Sequence, residues 1–442
     1  MACEKNITRR DFVKQSAAGL TAMSVPAAGY ARILGANERV NLGIAGLNGR
    51  GQAHIIAASQ MQDVAITALC DVDNLVFEKS QINLQKQNRS AAKTYGDIRR
   101  LLEDKNIDAL TIAAPDHWHT PMAIMAMQAG KHVYLEKPCC HNPQEGEWLV
   151  AAQRKTGKVL QIGNQQRSAP ATILAKKDIA QGIIGEVYYG KAWYSNTRDS
   201  IGVGQKIIHP DWLDWDLWQG PAPRRDYKDN LVHYNWHWFW HWGTGEINNN
   251  GLHEMDICRW MLGVDFPNKV TSSGGRFSFK DDWEFYDTQV ASFEFESGKM
   301  ISWEGRSCNG LQQYDRGRGA TIHGTEGSIL LDRNAYFAYD KKGNLLRQVN
   351  ERSYSGTTDT TGIGGLDVYH MQNFLDAIRS GKAVNSPVGE AHKSTLMCHL
   401  GNIAQRFERA LHLNTENGRI LDDEEAMSLW GREYEPGWKP EM

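Results

Sequence analysis

The most regular signal in the chain is a series of short, almost wholly apolar runs, each closed by glycine or by charged residues. Val40 to Ala45 is the first, stopping at Gly46-Leu47-Asn48-Gly49-Arg50-Gly51, and Val64 to Leu69 is the second, ending in Cys70-Asp71-Val72-Asp73. Ala109 to Ala113 and His132 to Leu135 follow, with helical stretches starting near Gln52 and running from Met122 to Gln128. Unbroken apolar runs of this length suit strands buried on both faces, and their alternation with helices predicts a doubly wound parallel sheet. After Phe277 the pattern changes to alternation: Val290 to Phe295, Met300 to Trp303, Ala320 to His323 and Ser328 to Leu331, with turns such as Glu296-Ser297-Gly298. This predicts a meandering sheet with one face on a core. Two closing helices are expected, Val368 to Arg379 and Glu390 to Leu411, and Gly362 to Gly365 reads as a loop able to reach a ligand.

The first forty residues follow neither pattern. A basic stretch, Lys5 through Thr8-Arg9-Arg10-Asp11-Phe12-Val13-Lys14, precedes a small, weakly apolar segment from Ser16 to Ala28 that is too short to span a bilayer. Paired arginines followed by Phe-Val-Lys resemble a bacterial twin-arginine export signal, with cleavage expected after Ala31 in Gly29-Tyr30-Ala31. The protein is therefore expected to be exported, to the periplasm. No later apolar run is long enough to cross a membrane, so no stable membrane insertion is expected.

Composition narrows the function. The 442 residues carry 49 Lys+Arg against 52 Asp+Glu, a net charge of −3, and loss of residues 1–31 would move this to −5 by removing Lys5, Arg9, Arg10 and Lys14 against Glu4 and Asp11. Such a balance excludes a role built on nucleic-acid backbone binding. Cys70, Cys139, Cys140, Cys258, Cys308 and Cys398 show no CxxC spacing, so they read as mostly buried thiols. The unusual feature is tryptophan: of 15 in the chain, 7 lie between Trp212 and Trp242. An extended Asn235–Trp242 would put Trp236, Trp238, Trp240 and Trp242 on one face, whereas a helix would stack His237 and His241 at a spacing that can bind metal. Because indole faces suit the C–H faces of sugars, a carbohydrate pocket wall that includes Trp240 and His241 is expected, and no metal.

The glycine string carries the first specific chemistry. Glycines let backbone approach a pyrophosphate at a helix N-terminus, where free N–H groups and the helix dipole favour an anion. Asp71 stands 20 residues after Gly51, the spacing at which a carboxylate meets an adenosine ribose, and it favours NAD over NADP because it repels a 2′-phosphate. Asn48 replaces the middle glycine of the usual pattern, a substitution that asparagine's tolerance of left-handed backbone would permit. The polar segments that end the later runs, Pro115-Asp116-His117-Trp118-His119 and Glu136-Lys137-Pro138, are expected to face the cofactor, since ligands of open α/β sheets bind at the carboxyl ends of strands.

From about residue 38 onward the chain resembles the Gfo/Idh/MocA oxidoreductase family. The resemblance rests on Gly46-Leu47-Asn48-Gly49-Arg50-Gly51, Asp71, Ala114-Pro115 with His119, Glu136-Lys137-Pro138, and Asn249-Asn250-Gly251-Leu252-His253-Glu254-Met255-Asp256. It implies an N-terminal Rossmann domain (38–160) followed by a second α/β domain (161–442) with a large, mostly antiparallel sheet that holds substrate and often makes the oligomer contact, so a homo-oligomer, dimer or tetramer, is expected. It implies a cis Lys137-Pro138 peptide. It also places cofactor contacts at Gly46, Asn48, Arg50, Gly51, Asp71, Pro115, His117, His119 and Glu136, and substrate contacts at Arg167 and Asp256.

Oxidising a secondary alcohol requires its proton to be accepted and the developing alkoxide to be stabilised. Lys137 can supply the cation and His253 the base. The family usually has Asp where this chain has Asn249, and an amide can orient the imidazole without raising its pKa by charge. The expected activity is that of an exported oxidoreductase using tightly bound NAD(H) on a secondary hydroxyl of a sugar, glycoside or polyol. A redox-neutral NAD-dependent glycoside hydrolase and a sugar-binding module with a vestigial Rossmann fold are the alternatives.

Overall fold

The computed structural model describes residues 39–350 and 365–442; the export-signal segment 1–31 and residues 362–364 of the expected ligand loop lie outside the described residues. The first unit runs β1 (Val40–Ala45), α1 (Arg50–Ser59), β2 (Val64–Cys70), α2 (Val76–Lys86), β3 (Lys93–Tyr95), α3 (Ile98–Leu102), β4 (Ala109–Ile112), α4 (Asp116–Gln128), β5 (His132–Leu135), α5 (Pro143–Thr156) and β6 (Leu160–Ile162). Its strands are all parallel, in the order β3-β2-β1-β4-β5-β6. Leu42, Ile44, Leu110, Ile112, Val133 and Leu135 are fully buried, which is why these strands read as apolar without alternation. Strand order reverses between β1 and β4, so a crevice opens beyond their carboxyl ends. The polar residues Asp116 to His119 form the first turn of α4, earlier than the apolar pattern suggests.

The second unit contains α6 (Pro170–Ala180), β7 (Val187–Ser195), α7 (Trp215–Gln219), α8 (Leu252–Leu262), β8 (Lys269–Gly275), β9 (Thr288–Glu294), β10 (Met300–Arg306), β11 (Arg318–Gly324), β12 (Gly327–Leu331), β13 (Ala335–Asp340), β14 (Leu345–Asn350), α9 (Gly365–Ser380), α10 (Val388–Arg406), β15 (Leu411–His412) and α11 (Glu424–Met427). Nine strands form one sheet in the order β14-β13-β12-β11-β7-β10-β9-β8-β15, antiparallel throughout except for the β7–β10 pair. One face is buried under α6, α8 and α10, whose Ala175, Ile257, Cys258 and Leu400 share a core with Phe293 and Ile301. Leu411 opens a short strand, so the last long helix stops at Arg406.

The sheets divide near residue 160, but the cores do not. Met371, Phe374 and Leu375 of α9 pack with Leu42, Ile44 and Ile55, so the chain returns to the first unit after the second sheet is complete. Among the described residues no helix is long and apolar enough to cross a membrane. All six described cysteines are free, and all but Cys308 are buried.

Candidate active site

One cleft runs from the glycine loop across the carboxyl ends of β1, β4 and β5 to the first turn of α8. Its first part fits a dinucleotide. Gly46 has φ +80°, and a Cβ there would lie 2.5 Å from the Ala113 carbonyl carbon, while a Cβ on Gly51 would lie 1.8 Å from the Gly46 oxygen. Only glycine permits this packing of β1, the loop and α1. Helix α1 starts without a side-chain cap, and although the Gln52 N–H donates to the Gly49 carbonyl at 3.1 Å, the N–H groups of Arg50 and Gly51 ahead of it are placed for an anion. Asp71, at the end of β2, accepts the Leu47 N–H at 2.6 Å and the Asp73 N–H at 2.9 Å, and burial pushes its carboxyl up to about 6. Asn48 is exposed at the loop tip and lacks the positive φ that the sequence reading allowed for it. The loop takes its left-handed residue from Gly46, which leaves position 48 free of that demand.

Arg50 bonds Glu136 through Nε at 2.7 Å and pairs with Asp367 of α9. Glu136 also accepts from His54 at 2.9 Å and Gln165 at 2.9 Å. Burial alone would raise the Glu136 carboxyl, but Arg50 and His54 hold it well below the usual range. Both Arg50 and Glu136 line the cleft as braced charges. His119 spans the Ala114 carbonyl (2.7 Å) and the Pro138 carbonyl (2.6 Å), tying the end of β4 to that of β5. The Lys137-Pro138 peptide is cis, as the resemblance implies.

Lys137 leaves the end of β5 and enters the cleft, where its Nζ donates to the Asn249 backbone oxygen at 2.6 Å and lies 3.4 Å from Asn249 Oδ1. Burial lowers its ammonium to about 8, against the opposing pull of Glu136 and Asp116. Asn249 belongs to a π-helical turn, Ile247–Gly251, that runs into α8. Such turns add a residue to the helical repeat and recur at functional sites. Here the turn directs Asn249 to Lys137, so the expected orientation of His253 by Asn249 is corrected to orientation of the lysine. His253 follows in the first turn of α8, buried, with Nε2 lacking any hydrogen-bond partner. Burial, with Arg333, Lys137 and Arg318 nearby, pushes its imidazole well below the ordinary value, which keeps the ring neutral at pH 7.

Other expected site residues lie elsewhere. Arg167 and Asp256 form a doubly hydrogen-bonded pair at 2.7 Å, almost fully buried, with Ser394 donating to the same carboxylate; each serves to neutralise the other away from the cleft. Trp240 packs on Phe285, 3.9 Å between ring centroids, and His241 Nε2 bonds the Pro223 carbonyl, so neither reaches the cleft. His117 is buried with Nε2 on the Trp218 carbonyl. The 235–242 stretch is neither strand nor long helix: Asn235–Trp238 is one 3-10 turn followed by loop, which removes the His237/His241 stacking. No cluster of three metal-binding side chains occurs among the described residues.

Sequence reasoning missed Tyr194, Arg198, Tyr234 and Arg318, and weighed His237 only as half of a metal-binding pair; all five line the cleft. Arg198 is bonded to Glu246 at 2.8 Å and Arg318 to Glu254 at 2.6 Å, so their charges are balanced. Tyr234 is half exposed, its ring 4.7 Å from that of His237, and its hydroxyl lies 3.5 Å from Asn249 Nδ2. The signals available were the place of Tyr234 and His237 in the tryptophan-rich segment and of Tyr194, Arg198 and Arg318 in or just after a strand of the second sheet.

Residues 40–164 match the description "Oxidoreductase family, NAD-binding Rossmann fold", and residues 172–330 match "GFO/IDH/MocA C-terminal domain". Among relatives, a glycosyl hydrolase family 109 protein of Parabacteroides distasonis is 24% identical over 419 residues, covering 85% of this chain and 89% of the relative. An alpha-N-acetylgalactosaminidase of Tannerella forsythia is 24% identical over 424 residues, with the same two coverages. Similar solved structures include a levoglucosan dehydrogenase complexed with NADH and levoglucosan, 19% identical with TM-score 0.65, covering 85% of this chain and 99% of that one. Another is an Agrobacterium radiobacter oxidoreductase complexed with NAD+, L-tartaric acid and magnesium, 16% identical with TM-score 0.65, covering 85% and 98%.

Proposed function

Because the chain belongs to the Gfo/Idh/MocA oxidoreductase family, with an NAD-binding Rossmann domain, we propose that it uses tightly held NAD(H) to transfer hydride to or from a secondary hydroxyl of a sugar, glycoside or polyol. The observation that carries this is the meeting, in one cleft, of the glycine loop and Asp71 with Lys137 and an unpartnered His253 Nε2. NAD, when bound, supplies the hydride acceptor or donor. Lys137, ammonium at neutral pH and steadied by the Asn249 carbonyl, donates a hydrogen bond to the substrate oxygen and stabilises alkoxide character. Neutral His253 accepts the hydroxyl proton at Nε2. The balanced arginines suit an uncharged polyhydroxylated ligand.

A second reading, a redox-neutral glycoside hydrolase, is favoured by the Tyr234–His237 pair on the cleft wall and by the names of the relatives. Oxidation of a ring hydroxyl to a ketone would acidify the neighbouring C–H. Loss of that proton expels the aglycone, water adds across the resulting double bond, and the hydride returns. Such a cycle needs a second proton-handling group, which simple hydride transfer does not. Chromogenic glycosides separate the readings: chromophore release without net change in nicotinamide absorbance assigns the hydrolase, and stoichiometric NADH formation on a sugar assigns the dehydrogenase. Absence of both with a full panel of sugars would overturn the proposal in favour of a binding module.

A further inference from the structure

The tryptophan-rich segment borders the cofactor cleft, which Leu213, Leu217, Trp218 and Trp236 help to line. It is sewn to the Rossmann sheet at two separate places. At the end of β2, Asn74 N–H donates to the Trp212 carbonyl at 3.0 Å, Asp214 N–H to the Val72 carbonyl at 2.9 Å, and Asp73 and Leu213 pair as an antiparallel bridge. The buried Asp73 carboxylate also meets His233 Nε2 at 3.1 Å. At the start of α4, His117 N–H donates to the Trp242 carbonyl at 3.2 Å, Trp118 Nε1 to the Trp218 carbonyl at 2.9 Å, and the Thr244 hydroxyl to Asp116 at 2.6 Å. Leu213, Leu217 and Trp218 line the same cleft as Asp71, Ile98 and Met122.

The segment has its own core. Trp215 stacks on Trp218 with centroids 4.9 Å apart, and Trp242 meets both edge-on at 5.6 and 5.0 Å. Leu213, Trp215, Trp218 and Trp242 are each at most 7% exposed. Lifting the segment therefore pulls Trp218 and Trp242 off the His117 ring, 5.0 and 5.2 Å away, and breaks both sets of backbone bonds together, which makes opening rare.

We infer that residues 209–242 are a strap that encloses the adenosine half of the bound dinucleotide, so that cofactor exchange requires the strap to detach from β2 and α4. This rests on the NAD reading above and gives tight retention a physical cause. It also assigns most of the tryptophan cluster to cofactor enclosure, leaving the sugar to the Lys137–His253 end.

The test uses the full chain loaded with NAD and follows replacement of bound NAD by isotopically labelled NAD, with recovered cofactor weighed by mass spectrometry. Partner residues of an antiparallel bridge have Cα atoms close enough for a disulfide. In the double variant Asp73→Cys/Leu213→Cys, oxidation is expected to slow label exchange at least about tenfold relative to the same protein after dithiothreitol. Trp215→Ala, which hollows the strap core without lining the catalytic end, is expected to speed exchange at least about tenfold relative to wild type. Equal exchange in the oxidised and reduced double variant, with the disulfide verified and NAD present, overturns the strap. Failure of the wild type to bind or retain any nicotinamide dinucleotide instead overturns the cofactor reading on which it rests.

Discussion

At Lys137, burial works against neighbouring charge. Burial lowers the ammonium to about 8 while Glu136 and Asp116 oppose the fall, so the group is mainly protonated at neutral pH and loses its proton as pH rises through that value. Burial pushes the His253 imidazole well below its ordinary value too, so it is neutral throughout the physiological range. A mechanism that needs protonated Lys137 and neutral His253 therefore gives a kcat/KM that is level around neutrality and falls above about pH 8. Its acid limb lies well below an ordinary imidazole's. A limb rising near pH 8 would instead make Lys137 the base. Lys137→Met and His253→Asn are each expected to reduce kcat by roughly 10²–10⁴-fold, and the double variant to lose little more than the worse single, because the two act on one proton transfer. Sequence order revealed Lys137, Asn249 and His253, because motif spacing survives without structure. It did not reveal that Asn249 serves the lysine, since a π-turn changes which residues share a helix face. Nor did it separate Arg167 and Asp256 from true site residues: residue type shows what can bind, and only packing shows that they bind each other.

Among elements, the β1–α1 loop is set by close approach. Gly46→Ala puts a Cβ into the Ala113 carbonyl at a positive φ, so weakened NAD binding is expected, at least about tenfold (~1.4 kcal/mol), together with a lower melting temperature; calorimetric titration and thermal unfolding check both. Trp242→Ala is expected to destabilise by about 3–5 kcal/mol, because Trp242 is 3% exposed and touches Trp215, Trp218 and His117; denaturant unfolding measures this. Strands β1, β2, β4 and β5 were legible because burial on both faces writes itself as an unbroken apolar run; β3, with two of its three residues exposed, and the three-residue β6 were not. The strap was not, because its order comes from indole packing and isolated backbone bonds, which impose no period on the sequence. The return of α9 to the first core was equally hidden: the apolar face of Met371, Phe374 and Leu375 shows that a core exists, not which one.

For the molecule as a whole, the proposed export by the twin-arginine route and the enclosed cofactor form one account, since a pathway that carries folded proteins lets NAD be loaded before transport. Arg9→Lys with Arg10→Lys is expected to hold the protein in the cytoplasm with its cofactor bound; fractionation that still finds it exported would remove this route. The described residues build a six-stranded sheet that takes the dinucleotide and a nine-stranded sheet that carries Asn249 and His253 toward it on one turn and helix. That arrangement makes hydride transfer at a sugar carbinol the central claim. The most direct test loads the protein with NAD+, supplies glycosides deuterated at one ring carbinol carbon at a time, quenches within the first turnover and weighs the released cofactor by mass spectrometry. The account predicts one deuterium on the cofactor for one labelled position and none for the others. Product formation with no deuterium on the cofactor from any position would contradict it.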